Sequence, residues 1–537
     1  MSGPYLLAID AGTGSCRAVL FTETGEQAGV GQREWTHHEP PGVPGGQDFD
    51  VVAGWQAIAA CVRDALRSAD NGAGAAGADV AAVAATSMRE GMVLYDAGGR
   101  EIFACPNVDS RAFAEAGDLI REGAAEKIYA EAGDWVSITS PARLRWLARH
   151  RPDILAATAS LGMLSDWIVY RLTGEHVTEP SCGSSSGMFS LAGRRWSQTI
   201  PALSGLPAGV LPPVVDPGTV VGEVSAAAAG LTGLRPGTPV AAGGGDTQLG
   251  LLGAGAQRDE YTVVAGTFWQ NTVLLAEPLI DPRIRLRTLC HVMPGEWMLE
   301  GIGFYCGMSM RWFRDAFCDA EVALARARGV DPYVVMEEIA AAVPAGSGGV
   351  IAILSNLMNA KRWAHASPSF LQFDLGSPAA SGRGACIRAI EEAAAYVARG
   401  HRDIIGELTG LPLGELTFTG GAAKGRLWPQ IMADVLGVPV RVPAVTESSA
   451  LGAAICAGVG AGVFASLQEP QPGLRARATR FEPDAAAAAG YDERYAAWRE
   501  IYRRMLDISA DGLLTPLWRA AGTEQVQAGP PPALAAT

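Results

Sequence analysis

The sequence predicts an α/β protein built from two similarly constructed lobes, and three observations predict it. Two hairpins of the same kind, an apolar strand, a Gly-Thr turn and a second apolar strand, occur about 250 residues apart, at 5–21 and 261–275. Strand-like and helix-like segments alternate through the first half of the chain. A further Gly-rich turn at 416–425 runs from a strand towards a helix in the second half.

The elements follow in order. Residues 5–10 and 16–21 are apolar runs bracketing the small-residue turn Ala11-Gly12-Thr13-Gly14-Ser15, which reads as a β-hairpin. A helix is expected over 51–68, with Asp50 as N-cap because its carboxylate can accept from first-turn N–H groups. The strand 80–86 leads into Ser87-Met88-Arg89-Glu90-Gly91. Helices are expected over 141–150 and 161–173, the latter closed by Gly174. A Pro- and Gly-rich passage, 203–239, precedes the apolar strand that ends in Gly243-Gly244-Gly245-Asp246. With the boundary placed near Gly253, the lobes are 1–253 and 254–513, and the second carries long helices at 385–408 and 427–436. Small residues in 446–454 suit a helix start that packs closely on a neighbour. The Ala/Gly-rich stretches 71–78 and 485–490 read as loops, and 514–537, with Gly529-Pro530-Pro531-Pro532, as a flexible tail.

Bulk properties exclude several function classes. The chain of 537 residues has 48% apolar and 18% charged residues, the balance of a globular protein with large cores. A net charge of −14 and a pI near 5.1 argue against a nucleic-acid or anionic-membrane surface. No apolar run reaches the roughly 20 residues of a membrane span, and no basic-then-apolar leader opens the sequence. Nine cysteines without C-x-x-C spacing fit buried thiols in a reducing, cytoplasmic compartment.

Five places can carry chemistry. Asp10 ends a strand beside a turn rich in backbone N–H groups, a setting for a phosphate and its Mg²⁺; it reads equally as an ordinary turn residue. Asp246 follows three glycines that let a ligand approach the backbone, so its carboxylate suits the base that takes a hydroxyl proton in phosphoryl transfer; the competing reading is a surface turn. Arg89 and Glu90, after a strand, can grip adjacent oxygens of a polyol or form a plain surface ion pair. Gly266-Thr267 and the turn around Gly420-Gly421 can meet phosphate or adenine, the latter near a helix N-terminus, with Lys424 on the rim; neither has Walker A form. Trp269 and Met310-Arg311-Trp312-Phe313-Arg314 read as core or lobe contact.

Taken in order, these segments resemble the FGGY carbohydrate kinases of the actin-like ATPase superfamily over residues 5–515. The carriers are Asp10–Ser15, Asp109-x-Arg111, Asp166-Trp-Ile-x-Tyr-x-Leu-Thr-Gly174, Gly245-Asp246, Gly266-Thr267, Gly420-Gly421 and Glu447-x-x-Ala-Leu-Gly-Ala-Ala454. The resemblance implies two ribonuclease-H-like lobes flanking an interlobe active-site cleft, and transfer of the γ-phosphoryl group of ATP·Mg²⁺ to a primary hydroxyl. It implies Asp246 as general base and Asp10, Thr13, Gly14, Ser15 and Arg17 on the phosphate side. It further implies Gly266, Thr267, Gly420, Gly421 and Lys424 around the nucleotide, with Asp10 and Asp246 towards the metal. Arg89, Glu90, Asn107, Asp246 and Thr247 are then the acceptor residues. The chain departs from the glycerol kinases of that family at Asn107, Ile138 and Thr247, where they carry Trp, Tyr and Gln, so a substrate with carbonyls as well as hydroxyls is expected.

The whole pattern is most similar to the autoinducer-2 kinase branch, through Ser87–Gly91, Asn107-Val-Asp-x-Arg-Ala112, Gly266-Thr-Phe-Trp-Gln270 and the 310–318 segment. This implies phosphorylation of the terminal hydroxyl of 4,5-dihydroxypentane-2,3-dione in quorum-sensing signal processing. The small-molecule substrate and ATP are the implied partners; a homodimer and regulation by a phosphotransferase-system phosphocarrier are left open. The alternatives are a kinase for a pentulose or small polyol such as xylulose or glycerol, and a non-catalytic nucleotide-binding sensor or repressor. The last is disfavoured by Asp246 and by the short segment before Asp10.

Overall fold

The computed structural model describes residues 4–72, 79–207, 209–361 and 364–514. The expected loop at 71–78 and the tail 514–537 fall almost wholly outside them. The chain forms two compact units. The first gathers residues 1–259, 273–300 and 443–478; the second gathers 260–272, 301–442 and 479–537. Two stretches of the expected second lobe, 273–300 and 443–478, therefore fold with the first unit.

The first unit is built on a six-stranded mixed sheet. Its strands are Tyr5–Ala11 (β1), Ser15–Phe21 (β2), Gln27–Glu34 (β3), Val80–Ser87 (β4), Val220–Glu223 (β5) and Pro239–Gly245 (β6), in spatial order β5-β6-β4-β1-β2-β3. β1 pairs antiparallel with β2 and parallel with β4, which pairs parallel with β6. Strand alternation sends side chains to opposite faces. Leu7, Ile9 and Ala11 enter the core with Ile58 and Val62 of the helix Val51–Gly72 (α1) and Trp167 and Ile168 of Leu164–Thr173 (α2). Leu6 and Ala8 enter a second core with Leu249 of Asp246–Gly253 (α3) and Leu451 and Ile455 of Ser448–Gly460 (α4). The sheet thus lies between two helical layers, and Asp10, in step with Leu6 and Ala8, belongs on the α3/α4 face.

Asp50 caps α1, accepting from Val52 and Ala53 N–H at 2.9 Å each. The expected helix over 161–173 begins three residues late. Ser160–Met163 pairs with Met92–Tyr95 as a strand, and α2 starts at Leu164, where Asp166 turns back to accept from Met163 N–H at 2.9 Å. Gly174 closes α2 in the left-handed conformation. All nine cysteines are buried free thiols.

In the second unit, Tyr261–Ala265 (β7) runs parallel to Leu416–Gly420 (β10), which is followed across the sheet by Val440–Val442 (β11) and Thr479–Phe481 (β12). The intervening antiparallel pair Arg287–Cys290 (β8) and Trp297–Gly303 (β9) carries first-unit residues up to Glu300. Helices Arg383–Thr409, Leu427–Leu436 and Ala485–Ala510 complete the second unit's framework. The last corrects the loop expected at 485–490: alanine is the strongest helix former, and Asp484 caps the run by accepting from Ala486 and Ala487 N–H. Trp269 is core, its ring centroid 5.3 Å from that of Phe418, edge-on, and 5.1 Å from that of Trp428, tilted. Of the 310–314 segment, Met310 and Phe313 are buried, while Trp312 is 45% exposed. Among the described residues, no helix is long and apolar enough to cross a membrane.

Candidate active site

Strand register brings the first group of candidate residues together. Asp10 pairs with Arg17 across the hairpin and with Thr86 on β4, and Thr86 pairs in turn with Gly244 of β6. Asp10 and Asp246 therefore emerge at the carboxyl ends of two parallel strands that flank β4, where ligands of open α/β sheets bind. Asp246 opens α3; Thr247 donates to its Oδ1 from backbone N–H (2.6 Å) and hydroxyl (3.2 Å), so Thr247 orients the carboxylate. Ser449 at the start of α4 donates to the Asp246 carbonyl at 2.8 Å.

Arg89 lies beside this carboxylate, with Nε 3.6 Å from Asp246 Oδ1. Its other two nitrogens grip Glu300 in a fork, at 2.6 and 2.9 Å. Glu300 also accepts from Arg287 Nε at 3.0 Å, and Arg287 Nη1 reaches Glu90 (2.8 Å) and Asp134 (3.1 Å). Two buried guanidiniums thus interlock with three buried carboxylates, the pairing that burial of charge demands. Burial alone would raise the Glu300 carboxyl, but Arg287 and Arg89 hold it down at about 2. Asp246 lacks so strong a pairing: burial pushes its pKa up, Glu90 adds to that, and Arg89 opposes it. Asp10 is pushed up to about 7, first by burial and then by the Asp246 charge, with Arg17 pulling down and Glu447 pushing up.

The sequence reading missed Arg287, Glu300, Asp134 and the placement of Glu447. A signal for two of them was present: Arg287 and Glu300 are lone charges in otherwise uncharged strands, directly paired in register, and a charge inside a buried strand requires a partner. Glu447 sits at the N-cap of α4 and pairs with Arg17. The close-packing reading of 446–454 holds: a Cβ at Gly452 would lie 2.0 Å from the Leu249 carbonyl oxygen, and one at Gly253 2.0 Å from that of Ser448.

The turn Gly12–Ser15 is held from behind. Trp35 Nε1 donates to the Gly12 and Thr13 carbonyls, His37 Nε2 lies 2.7 Å from the Thr13 oxygen, and Asn107 Nδ2 donates to Thr13 Oγ1 at 3.0 Å. Asn107, expected at the acceptor, is thus tied to the Gly12–Ser15 turn. A Cβ at the exposed Gly14 would meet nothing within 4 Å, so the fold itself does not require glycine there and the space fits a phosphate group. Oxygen donors from Asp10 and Asp246 suit a hard cation such as Mg²⁺, which takes one or two carboxylates together with water and phosphate oxygens. No group of three or more His, Cys, Asp or Glu converges on a metal position among the described residues.

The second unit brings the other candidates together. Ala265 and Gly420 are paired on β7 and β10, so Gly266-Thr267 and Gly421–Lys424 leave the sheet side by side. Gly420 has φ +93° and a Cβ there would press on the Ala265 carbonyl at 2.7 Å. Gly266, Thr267, Gly421 and Lys424 are exposed. One reading changes. The N-terminus of Leu427–Leu436 is taken by Glu337, whose Oε1 accepts from Arg426 and Leu427 N–H, so it offers no seat for an α-phosphate.

Comparison with known proteins agrees with this arrangement. Residues 5–253 match the N-terminal domain of the FGGY family of carbohydrate kinases and residues 262–461 its C-terminal domain. The chain is 44% identical over 525 residues to an autoinducer-2 kinase of Yersinia enterocolitica, covering 97% of this chain and 98% of that one. The autoinducer-2 kinase of Klebsiella pneumoniae is also 44% identical, over 527 residues, with the same coverage. Among solved structures, xylulose kinase from Rhodospirillum rubrum superposes with a TM-score of 0.78 at 27% identity, covering 94% of this chain and 99% of that one. Plasmodium falciparum glycerol kinase with ADP shares the fold at TM-score 0.77 and 19% identity, over 94% of this chain and 98% of that one. With both domains matched over most of its length and a carboxylate–guanidinium site at the strand ends, the chain belongs to the FGGY family of carbohydrate kinases and is an ATP-dependent phosphotransferase acting on an alcohol hydroxyl.

Proposed function

We propose that this kinase phosphorylates the terminal hydroxyl of autoinducer-2, 4,5-dihydroxypentane-2,3-dione, within the cytoplasm as part of quorum-sensing signal processing. The observation that carries the reading is the 44% identity to autoinducer-2 kinases over nearly the whole of both chains. The site chemistry supports it: Arg89 offers N–H donors suited to carbonyls or hydrate hydroxyls, and Glu90 offers an acceptor for hydroxyls.

In this reading Asp246 accepts the proton of the attacking hydroxyl. Its raised pKa makes it a better base than an ordinary carboxylate, and Thr247 holds it in one orientation. Arg89 holds the acceptor and stays in place because Glu300 and Arg287 fix its guanidinium. The Gly12–Ser15 turn is the proposed phosphate loop of the first unit, and Gly266-Thr267 and Gly420-Gly421 are the proposed nucleotide loops of the second. Bound with ATP, Mg²⁺ neutralises charge on the phosphates; Asp10 and Asp246 are the residues that would hold it.

The competing reading, a pentulose kinase, is favoured by the 27% identical xylulose kinase of known structure. Steady-state assay of the purified protein with the dione, xylulose and glycerol separates them. The dione is expected to give the highest kcat/KM, and a large preference for xylulose would overturn the assignment.

A further inference from the structure

Arg143 is not among the candidate site residues, yet it is almost wholly buried and spends its guanidinium on main chain. Nη1 donates to the Glu90 carbonyl, and Nη2 to the carbonyls of Pro106 (3.2 Å), Asn107 (3.1 Å) and Asp109 (2.9 Å). Nε faces Asp109 Oδ2 at 3.2 Å. Asp109 is itself fixed, its Oδ1 accepting from Gln47 N–H (2.9 Å) and Arg111 Nε (2.7 Å).

The two stretches joined this way carry the acceptor residues Arg89-Glu90 and Asn107. Both need holding. Glu90 sits at φ +62°, a left-handed conformation that costs a non-glycine residue and persists only when its surroundings impose it. The Asn107 side chain is tied to Thr13, and its main-chain carbonyl is held by Arg143. Only a planar fork with several donors can serve carbonyls of both stretches at once; an ammonium on a flexible stem cannot hold the same set in one geometry.

We propose that Arg143 is a positioning residue that locks the Arg89-Glu90 turn to the Asn107 segment and thereby sets acceptor affinity. This rests on the kinase site described above but not on which acceptor is used. The test is Arg143→Lys, compared with wild type on the dione, xylulose and glycerol, with KM measured separately for acceptor and ATP. Acceptor KM is expected to rise about 10-fold or more while ATP KM changes less than about 2-fold, the signature of lost acceptor binding. In Arg143→Ala, millimolar methylguanidinium is expected to recover part of the acceptor affinity.

A wild-type protein inactive on all three acceptors would count against the proposed function. With wild-type activity present, an unchanged acceptor KM in Arg143→Lys overturns the positioning role alone. Equal losses for acceptor and ATP, or a variant that no longer unfolds cooperatively, overturn it too, since the guanidinium would then serve the whole unit.

Discussion

Asp246 and Glu300 are both carboxylates facing Arg89, the first half-buried and the second fully buried, yet their chemistry diverges because of what else they face. Glu300 is shared by two guanidiniums and is held at about 2, so it stays ionised as a structural anion. Asp246 has one guanidinium at 3.6 Å and the charge of Glu90 nearby, so burial dominates and its proton affinity rises. Such divergence between neighbouring carboxylates is how an acid–base role is distinguished from a scaffolding one. Asp246→Asn is expected to lower kcat by about 10²-fold or more, with ATP KM little changed. The sign of the pH dependence follows from the raised pKa. The base is active only when ionised, so wild-type kcat/KM should fall on the acid side at a pH above the ordinary carboxylate range, and the variant's residual rate should lose that limb. Undiminished turnover, or an acid limb that survives in Asp246→Asn, would remove the base assignment. Asp246 and Arg89 were legible because each follows a strand within a motif. Arg287 and Asp134 were not, because what gives them meaning is contact between residues some 150 positions apart.

At the scale of elements, glycines that look alike in sequence answer to different demands. Gly452 on α4 lies against the backbone of α3, where a Cβ would come within 2.0 Å of the Leu249 carbonyl, and backbone cannot swing aside as a side chain can. Gly14 in the Gly12–Ser15 turn, which the proposed function assigns to phosphate, faces open space. Gly452→Ala is therefore expected to cost about 1–3 kcal/mol, as overpacking does. It should also slow turnover, because α4 carries the Ser449 hydroxyl that holds the Asp246 carbonyl. Gly14→Ala is expected to leave stability within about 0.5 kcal/mol while raising ATP KM. Chemical denaturation of both variants, paired with ATP titrations, checks the contrast; equal destabilisation by the two would show that the turn glycine serves the fold. The small-residue spacing of 446–454 foretold close packing, but the partner helix was not legible. The two misjudged elements have local causes. Residues 161–163 are apolar enough to continue a helical pattern, and only pairing with Met92–Tyr95 makes them a strand. The alanines at 485–490 read as low complexity, although Asp484 before them supplies a cap.

For the whole molecule, the decisive feature is that the first unit is assembled from three separate stretches of chain. The sequence showed two similar hairpins and a turn-rich passage between them, which led to a single boundary near Gly253. It could not show that 443–478 returns, because nothing local to α4 says which sheet it covers. In the structure α4 places seven buried residues, from Ala450 to Ala457, against the face formed by Leu6, Ala8, Val19, Phe21 and their neighbours. Without α4 that face, with Leu6, Val19 and Phe21 set among alanines, would meet water together with Leu249 and Leu252. At roughly 1 kcal/mol or more per uncovered side chain, the loss rivals the 5–15 kcal/mol that keeps a domain folded. A chain in which a short flexible linker replaces residues 443–478 is therefore expected to be insoluble or to lack a cooperative unfolding transition, even though it contains every strand of the six-stranded sheet together with Asp10, Arg89, Asp246 and Glu300. Supplying residues 443–478 at the N-terminus through a flexible linker, in a circularly permuted chain, is expected to restore folding, because α4 needs to reach the sheet face and not to follow residue 442. Near-ultraviolet circular dichroism and denaturant titration of the shortened and permuted chains read the outcome. A shortened chain that unfolds cooperatively at the wild-type midpoint would show that the third stretch merely decorates the unit, and that the carboxyl ends of β1, β4 and β6 can hold their carboxylates without it.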